Sequence, residues 1–169
     1  KRHLSGYTSF SVDITEICEF GGLNALAVRV DARDFELWSY EGGGIYRDVR
    51  LVKAHPLHLR YSGSYAWAEI PHCEQPEAAS IHLEQTLRND FRKAVDATVV
   101  SVILDPEGVE VARLQSDCSL AALSDHTVSL QGEIAQPKLW SPDSPHLYTV
   151  ETQVLCGKEV TDTYQTTFG

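Results

Sequence analysis

The sequence predicts an all-β fold on three observations. Apolar and polar residues alternate with a period of two through most of the chain. Turn-forming residues punctuate those runs. Asp105-Pro106-Glu107-Gly108 carries proline at the second position of a β-turn, and Gly157-Lys158 suits a two-residue hairpin. Beyond residue 57 the runs recur at about eight to twelve residue spacing, which is the rhythm of a β-sandwich.

At 169 residues the chain can form one large or two small domains and bury a core. Its hydrophobic fraction of 43% and charged fraction of 22% are those of a soluble globular protein. The seven prolines and eleven glycines are scattered, so no segment reads as a low-complexity linker, and no solenoid period appears. No apolar run reaches the length of about 18 residues that a membrane span needs. A net charge of −10 argues against nucleic acid, since a phosphate backbone needs a basic face. Methionine is absent and the opening Lys1-Arg2-His3-Leu4 leads into no long apolar core, so the chain is expected to start inside a longer polypeptide. Cys18, Cys73, Cys118 and Cys156 lie far apart with no C-x-x-C pair and are expected as free thiols.

Taken in order, residues 10–14 and 25–30 alternate as strands, with Leu26, Val28 and Val30 on one face. Between them Thr15 reads as the N-cap of a single helical turn through Phe20, ended by Gly21-Gly22. Residues 31–44 make a long excursion carrying Asp31, Asp34, Glu36, Trp38, Tyr40 and Glu41, and loops of that length are often functional. Residues 45–52 form a third strand after Gly42-Gly43-Gly44, with Arg47 on the side of Ile45 and Val49. An arginine buried there unpaired would cost ~3–5 kcal/mol, so a carboxylate or backbone carbonyls should hold it. Three strands and one turn cannot close a sandwich or barrel, so this piece must pack on another domain or expose apolar surface.

Strands are then expected over 65–70, 79–89, 97–105, 109–114, 126–134, 147–155 and 159–168. Seven strands in about 110 residues match the size of an immunoglobulin-like module. Ser141-Pro142-Asp143-Ser144-Pro145 reads as a rigid corner. Trp140 before it reads as a core or inter-domain anchor, with a sugar-stacking platform as the lesser alternative.

Motifs for other chemistry are missing. His55 and His58, three apart in extended chain, point to opposite faces and do not suit one zinc ion, and His72-Cys73 has no second pair at ligand spacing. No G-x-S-x-G elbow, G-x-G-x-x-G loop or Walker sequence occurs. Acid–base chemistry by paired carboxyl groups needs two acids held close together, and 24 acidic residues make accidental pairs easy.

Four stretches carry a family resemblance. They run from Gly6 to Thr15, Asn24 to Asp31, Trp38 to Val52 and Leu139 to Tyr148. In this order and spacing the chain resembles glycoside hydrolase family 2, the β-galactosidases, β-glucuronidases and β-mannosidases. The resemblance implies that residues 1–56 are the C-terminal part of a jelly-roll (sugar-binding-like) domain and 57–169 an immunoglobulin-like β-sandwich. It places the catalytic glutamates in a barrel that would begin near the end of this chain, where no Asn-Glu segment is found, so no catalytic residue is expected here. It also implies that Asp31, Asp34 and Trp38 approach the mouth of the substrate pocket in the intact enzyme, while Arg47 and Trp140 act as structural anchors. No cofactor is expected in the chain, although the intact enzyme has room for a cation. The implied partners are the barrel, the earlier jelly-roll strands and a carbohydrate substrate, and a bacterial cytoplasm or periplasm fits equally. The competing reading is a free-standing carbohydrate-binding or adhesion sandwich. A purely structural module of an unrelated surface protein leaves the four stretches unexplained.

Overall fold

The computed structural model describes residues 2–4, 7–31, 43–70 and 76–169. The chain divides into two compact units, Lys1–Leu51 and Val52–Gly169.

In the first unit a tight turn closes where Ile17 N–H donates to Ile14 O at 3.1 Å. Asp13 is its capping residue, accepting Thr15 N–H on Oδ1 at 2.9 Å. The expected Thr15-capped helical turn is therefore a turn capped two residues earlier. Asn24 closes the following loop by accepting Glu19 N–H and donating to Glu19 O, both at 2.8 Å. The strands expected over 10–14, 25–30 and 45–52 are not formed among the described residues. Alternation alone does not make a strand: a ladder partner must satisfy its backbone and a facing layer must cover its apolar side. Leu26, Val28, Ile45 and Leu51 accordingly stay exposed.

The second unit is a two-layer antiparallel sandwich of seven strands. They are β1 (Leu57–Glu69), β2 (Ala78–Asn89), β3 (Val95–Leu104), β4 (Glu110–Leu120), β5 (Asp125–Ala135), β6 (Tyr148–Cys156) and β7 (Glu159–Phe168). One sheet has the order β1-β2-β5 and the other β4-β3-β6-β7. Every strand expected after residue 57 is present, with β1 and β4 longer than their alternation suggested.

The core lies between the sheets because each strand turns one parity inward. Ile81, Leu83 and Leu87 of β2 face Val99 and Ile103 of β3 and Val150 and Val154 of β6 across the buried layer. Two hydroxyls in that layer, Ser101 and Thr152, satisfy each other at 2.9 Å.

In β1 the parity changes midway. Leu57 and Leu59 are buried, but further along it is Ala66, Ala68 and Ile70 that pack on the core. Leu59 pairs with Leu87, and the next pair is Ser64 with Gln85, so four residues of β1 oppose Thr86 alone. This bulge moves Tyr65 and Trp67 to the outer face, where strict alternation would have buried them.

The β3–β4 and β6–β7 hairpins follow their turn chemistry. Gly108 at φ +82° ends the Asp105 turn and donates to Asp105 O at 2.9 Å. Gly157 takes φ +61° at the first central position of the β6–β7 turn, where type II′ geometry requires glycine.

Connections between the sheets are held by polar side chains. Asn89, fully buried at the end of β2, donates from Nδ2 to Lys93 O at 2.9 Å and Ala121 O at 2.8 Å. Its Oδ1 accepts Phe91 N–H at 2.9 Å. One carboxamide thus binds both the β2–β3 and the β4–β5 connections. The hydroxyl of Tyr148, at the start of β6, accepts Lys138 N–H at 2.8 Å and pins the β5–β6 connection. Asp162 of β7 accepts Leu59 N–H at 2.9 Å beside the bulge.

Replacing Asn89 removes the partner of three part-buried backbone groups at once, Lys93 O, Ala121 O and Phe91 N–H. Asn89→Ala should destabilise the sandwich by about 1–3 kcal/mol, since it removes three hydrogen bonds from a fully buried side chain to part-buried backbone groups. Asn89→Asp should not rescue it, because a carboxylate cannot donate. A lowered urea midpoint at unchanged slope checks both; an unchanged midpoint contradicts the assignment.

Candidate functional site

Of the residues singled out by sequence, Asp34 and Trp38 lie outside the described residues. Asp31 is described and pairs with Arg29 at 2.9 Å in the first unit. A carboxylate oxygen so placed is suited to accept from a hydroxyl.

Arg47 is exposed, so the burial that would demand a carboxylate partner is missing. Its guanidinium instead lies over the Tyr46 ring, 5.5 Å from the centroid, a cation–π contact. Neighbouring Arg50 binds Asp48 at 2.8 Å.

Trp140 is not a core residue. It is 52% exposed and lines an apolar recess of about 360 Å³ with Ile70, Leu139, Leu147 and Gly169. The Ser141–Pro145 corner supports it, with Ser141 N–H donating to Ser144 O at 2.9 Å and Ser144 N–H donating to Ser141 Oγ at 3.0 Å. The recess therefore sits on a rigid mount.

Sequence reasoning missed a row on the outer face of the three-stranded sheet. Trp67 stacks on His82 with centroids 5.0 Å apart and planes 11° off parallel, and Tyr65 lies 5.1 Å from Trp67. Gln131 Nε2 approaches His82 Nδ1 at 3.2 Å on the next strand. The signal was the i, i+2 pattern Tyr65, Trp67, Glu69, which reads as outward only once the bulge is known. Cross-strand aromatic pairs of this kind stabilise a sheet on their own account.

Several charged groups of the sandwich are held in pairs. Arg88 binds Asp90 at 2.7 Å and Asp125 at 3.3 Å, and Arg113 grips Glu110 through two hydrogen bonds. Lys138 joins Asp105 at 3.3 Å and also contacts Glu107. The Val109 amide, then Glu107 and Lys138, hold the Asp105 carboxyl below its ordinary range against an opposing burial effect. Glu110 is lowered by Arg113. Both shifts oppose a general-acid role, which needs a raised carboxyl pKa. A shallow recess between Asp96, Thr98, Asp117 and Cys118 offers no nucleophile either: burial, then Asp117 and Asp96, push the Cys118 thiol up. Cys18, Cys118 and Cys156 are free, and no three His, Cys, Asp or Glu side chains among the described residues could hold a metal ion. No helix of the described residues is long and apolar enough to cross a membrane.

Residues 67–169 match the model of glycosyl hydrolases family 2. The chain belongs to that family. It is 37% identical over 166 residues to the β-galactosidase BoGH2A of Bacteroides ovatus, covering 97% of this chain and 19% of that protein. It is 28% identical to a β-glucuronidase of Formosa agariphila, covering 98% of this chain and 19% of that protein. Among solved structures, a β-glycosidase from Bacteroides vulgatus superposes with a TM-score of 0.63 at 28% identity, over 77% of this chain and 15% of that one. A Bacteroides uniformis β-glucuronidase shares the fold with a TM-score of 0.72 at 24% identity, over 83% of this chain and 18% of that one. The family 2 chain described here thus spans about one fifth of the curated relatives it matches.

The Asp105 turn gives the sandwich an acid-sensitive support. Its folded pKa lies below its unfolded value. The support is therefore present above the ordinary carboxylate pKa of about 4 and is lost as pH falls through the lowered value. Asp105→Asn keeps the turn acceptor but loses the Lys138 pair, so the acid limb of a stability–pH profile should flatten. An unaltered limb in urea titrations across that range contradicts this account.

Proposed function

We propose that this chain is a non-catalytic β-sandwich portion of a family 2 glycoside hydrolase, with the catalytic glutamates in a barrel outside it. The observation that carries the proposal is the family match over 67–169 in a chain spanning 19% of a β-galactosidase relative. In this reading the intact enzyme cleaves β-glycosidic bonds with retention, through two carboxyl groups acting as nucleophile and acid/base. A β-galactoside is the substrate we favour, on the 37% identity to the Bacteroides ovatus enzyme.

The sandwich acts as an immunoglobulin-like scaffold in this proposal. The split β1-β2-β5 and β4-β3-β6-β7 supports that reading, as does Tyr148 bonding back to Lys138 in the manner of a tyrosine corner. Residues 1–56 serve as the end of a jelly roll. Asp31, Asp34 and Trp38 approach the sugar from that side, with a cation as an optional companion. Arg47 and the Trp140 recess are contact points for the neighbouring domains.

The test compares the parent enzyme and this chain on aryl β-glycosides. The parent should hydrolyse the β-galactoside faster than the β-glucuronide, and the 169-residue chain should hydrolyse neither. Enzyme-like turnover by the chain alone would sink the scaffold assignment, and a reversed preference would sink the substrate. The exposed Tyr65 and its neighbour Trp67 favour one alternative, a free-standing carbohydrate-binding sandwich. Millimolar or tighter sugar binding by this chain in calorimetry would support it.

A further inference from the structure

The bulge in β1 leaves an unusual polar group in the core. Gln85 of β2 is 0% exposed and points inward between Leu83 and Leu87, the neighbouring inward residues of its strand. Neither its amide oxygen nor its amide nitrogen has a hydrogen-bond partner among the described residues. Ser64, directly opposite on β1, has a buried Oγ in the same condition. On its other side Gln85 faces Val128 of β5, whose side chain has no donor or acceptor. Two unpartnered polar side chains in register are not expected of a stable core, where Ser101 and Thr152 by contrast satisfy each other.

Their position matters. Ser64 and Gln85 form the first pair after the break, and Thr86 alone opposes residues 60–63. Ser62 takes φ +58°, and a side chain at Gly63 would meet the carbonyls of Arg60 and Thr86 at 2.8 Å. The ladder is interrupted at the point where side-chain donors and acceptors also lack partners. Thr86 turns its hydroxyl the other way, to Thr127 at 2.9 Å, so it satisfies nothing inside.

We propose that the sandwich holds an internal water site between Ser64 Oγ and the Gln85 amide. The ligand class is solvent water, which is small enough for a core and supplies two donors and two acceptors. It accepts from the Gln85 amide nitrogen, donates to the amide oxygen, and exchanges a bond with the Ser64 hydroxyl. Buried waters commonly do this, making about three bonds to groups the protein leaves unmet. The site fixes the step at which β1 changes parity, because sliding the strand by one residue would remove Ser64 from the water.

A high-resolution crystal structure of the protein should show an ordered water within hydrogen-bond distance of both side chains. A direct Ser64–Gln85 bond with no water between them overturns the proposal. In solution, oxygen-17 magnetic relaxation dispersion should report at least one fewer long-lived water in the Ser64→Ala, Gln85→Leu double variant. Because that variant changes two core positions, the near-isosteric Gln85→Met is measured beside it and should lose the same signal. Folded variants with undiminished dispersion amplitude refute the site.

Discussion

The sandwich depends on the carboxamide of Asn89. Packing two apolar sheets is favourable but non-directional, so it does not by itself fix how one lies on the other. The chain passes between the sheets three times, at β2–β3, β4–β5 and β5–β6. Asn89 fastens the first two together, and Tyr148 fastens the third through Lys138. Only an amide offers donors and an acceptor in one small planar group, which is why neither an acid nor an apolar residue can replace it. The described within-sheet connections, β3–β4 and β6–β7, need no such fastener. Their turn residues and a positive-φ glycine suffice.

The bulge in β1 is the second constraint, and it works through parity. A strand commits alternate residues to opposite faces, so four residues set against one invert every later assignment. Ala66, Ala68 and Ile70 are small or aliphatic and fit under the second sheet, whereas Tyr65 and Trp67 would overfill it. Asp162, reaching from β7 to the Leu59 amide, ties the strand across the sandwich edge just before the inversion. The aromatic row outside and the small residues inside are thus one consequence of a local backbone irregularity.

The same physics explains what was legible in the sequence. From residue 57 onward, alternation and turn residues marked all seven strands, because each has a partner within the chain and an apolar face with something to cover it. The Asp105–Gly108 and Gly157-Lys158 turns were readable since their geometry is set by adjacent residues. Residues 10–14, 25–30 and 45–52 carry equally good alternation but form no ladder among the described residues. Periodicity records what a segment could bury, not what is available to bury it. Arg47 is exposed for that reason, as the burial expected of it presupposed a strand. Asn89 was invisible because its partners Lys93 and Ala121 are carbonyls, which every residue has. The β1 bulge was hidden too, since nothing near Gly63 announces a four-for-one mismatch.

Trp140 shows how stability and the proposed function meet. It stands half exposed over an apolar recess formed by the end of β1, the β5–β6 connection and the residue after β7. Each of those pieces is held by something already described: the parity inversion sets Ile70, and the Tyr148 bond with the proline corner sets Leu139 and Leu147. A large aromatic on a rigid mount loses little entropy when covered and contributes much buried area. In the proposed enzyme such a surface would fix the angle of a neighbouring domain without taking part in chemistry. Misplacing reacting groups by about 1 Å can cost on the order of 100-fold in rate. A scaffold whose crossovers are pinned by Asn89 and Tyr148 is suited to that demand.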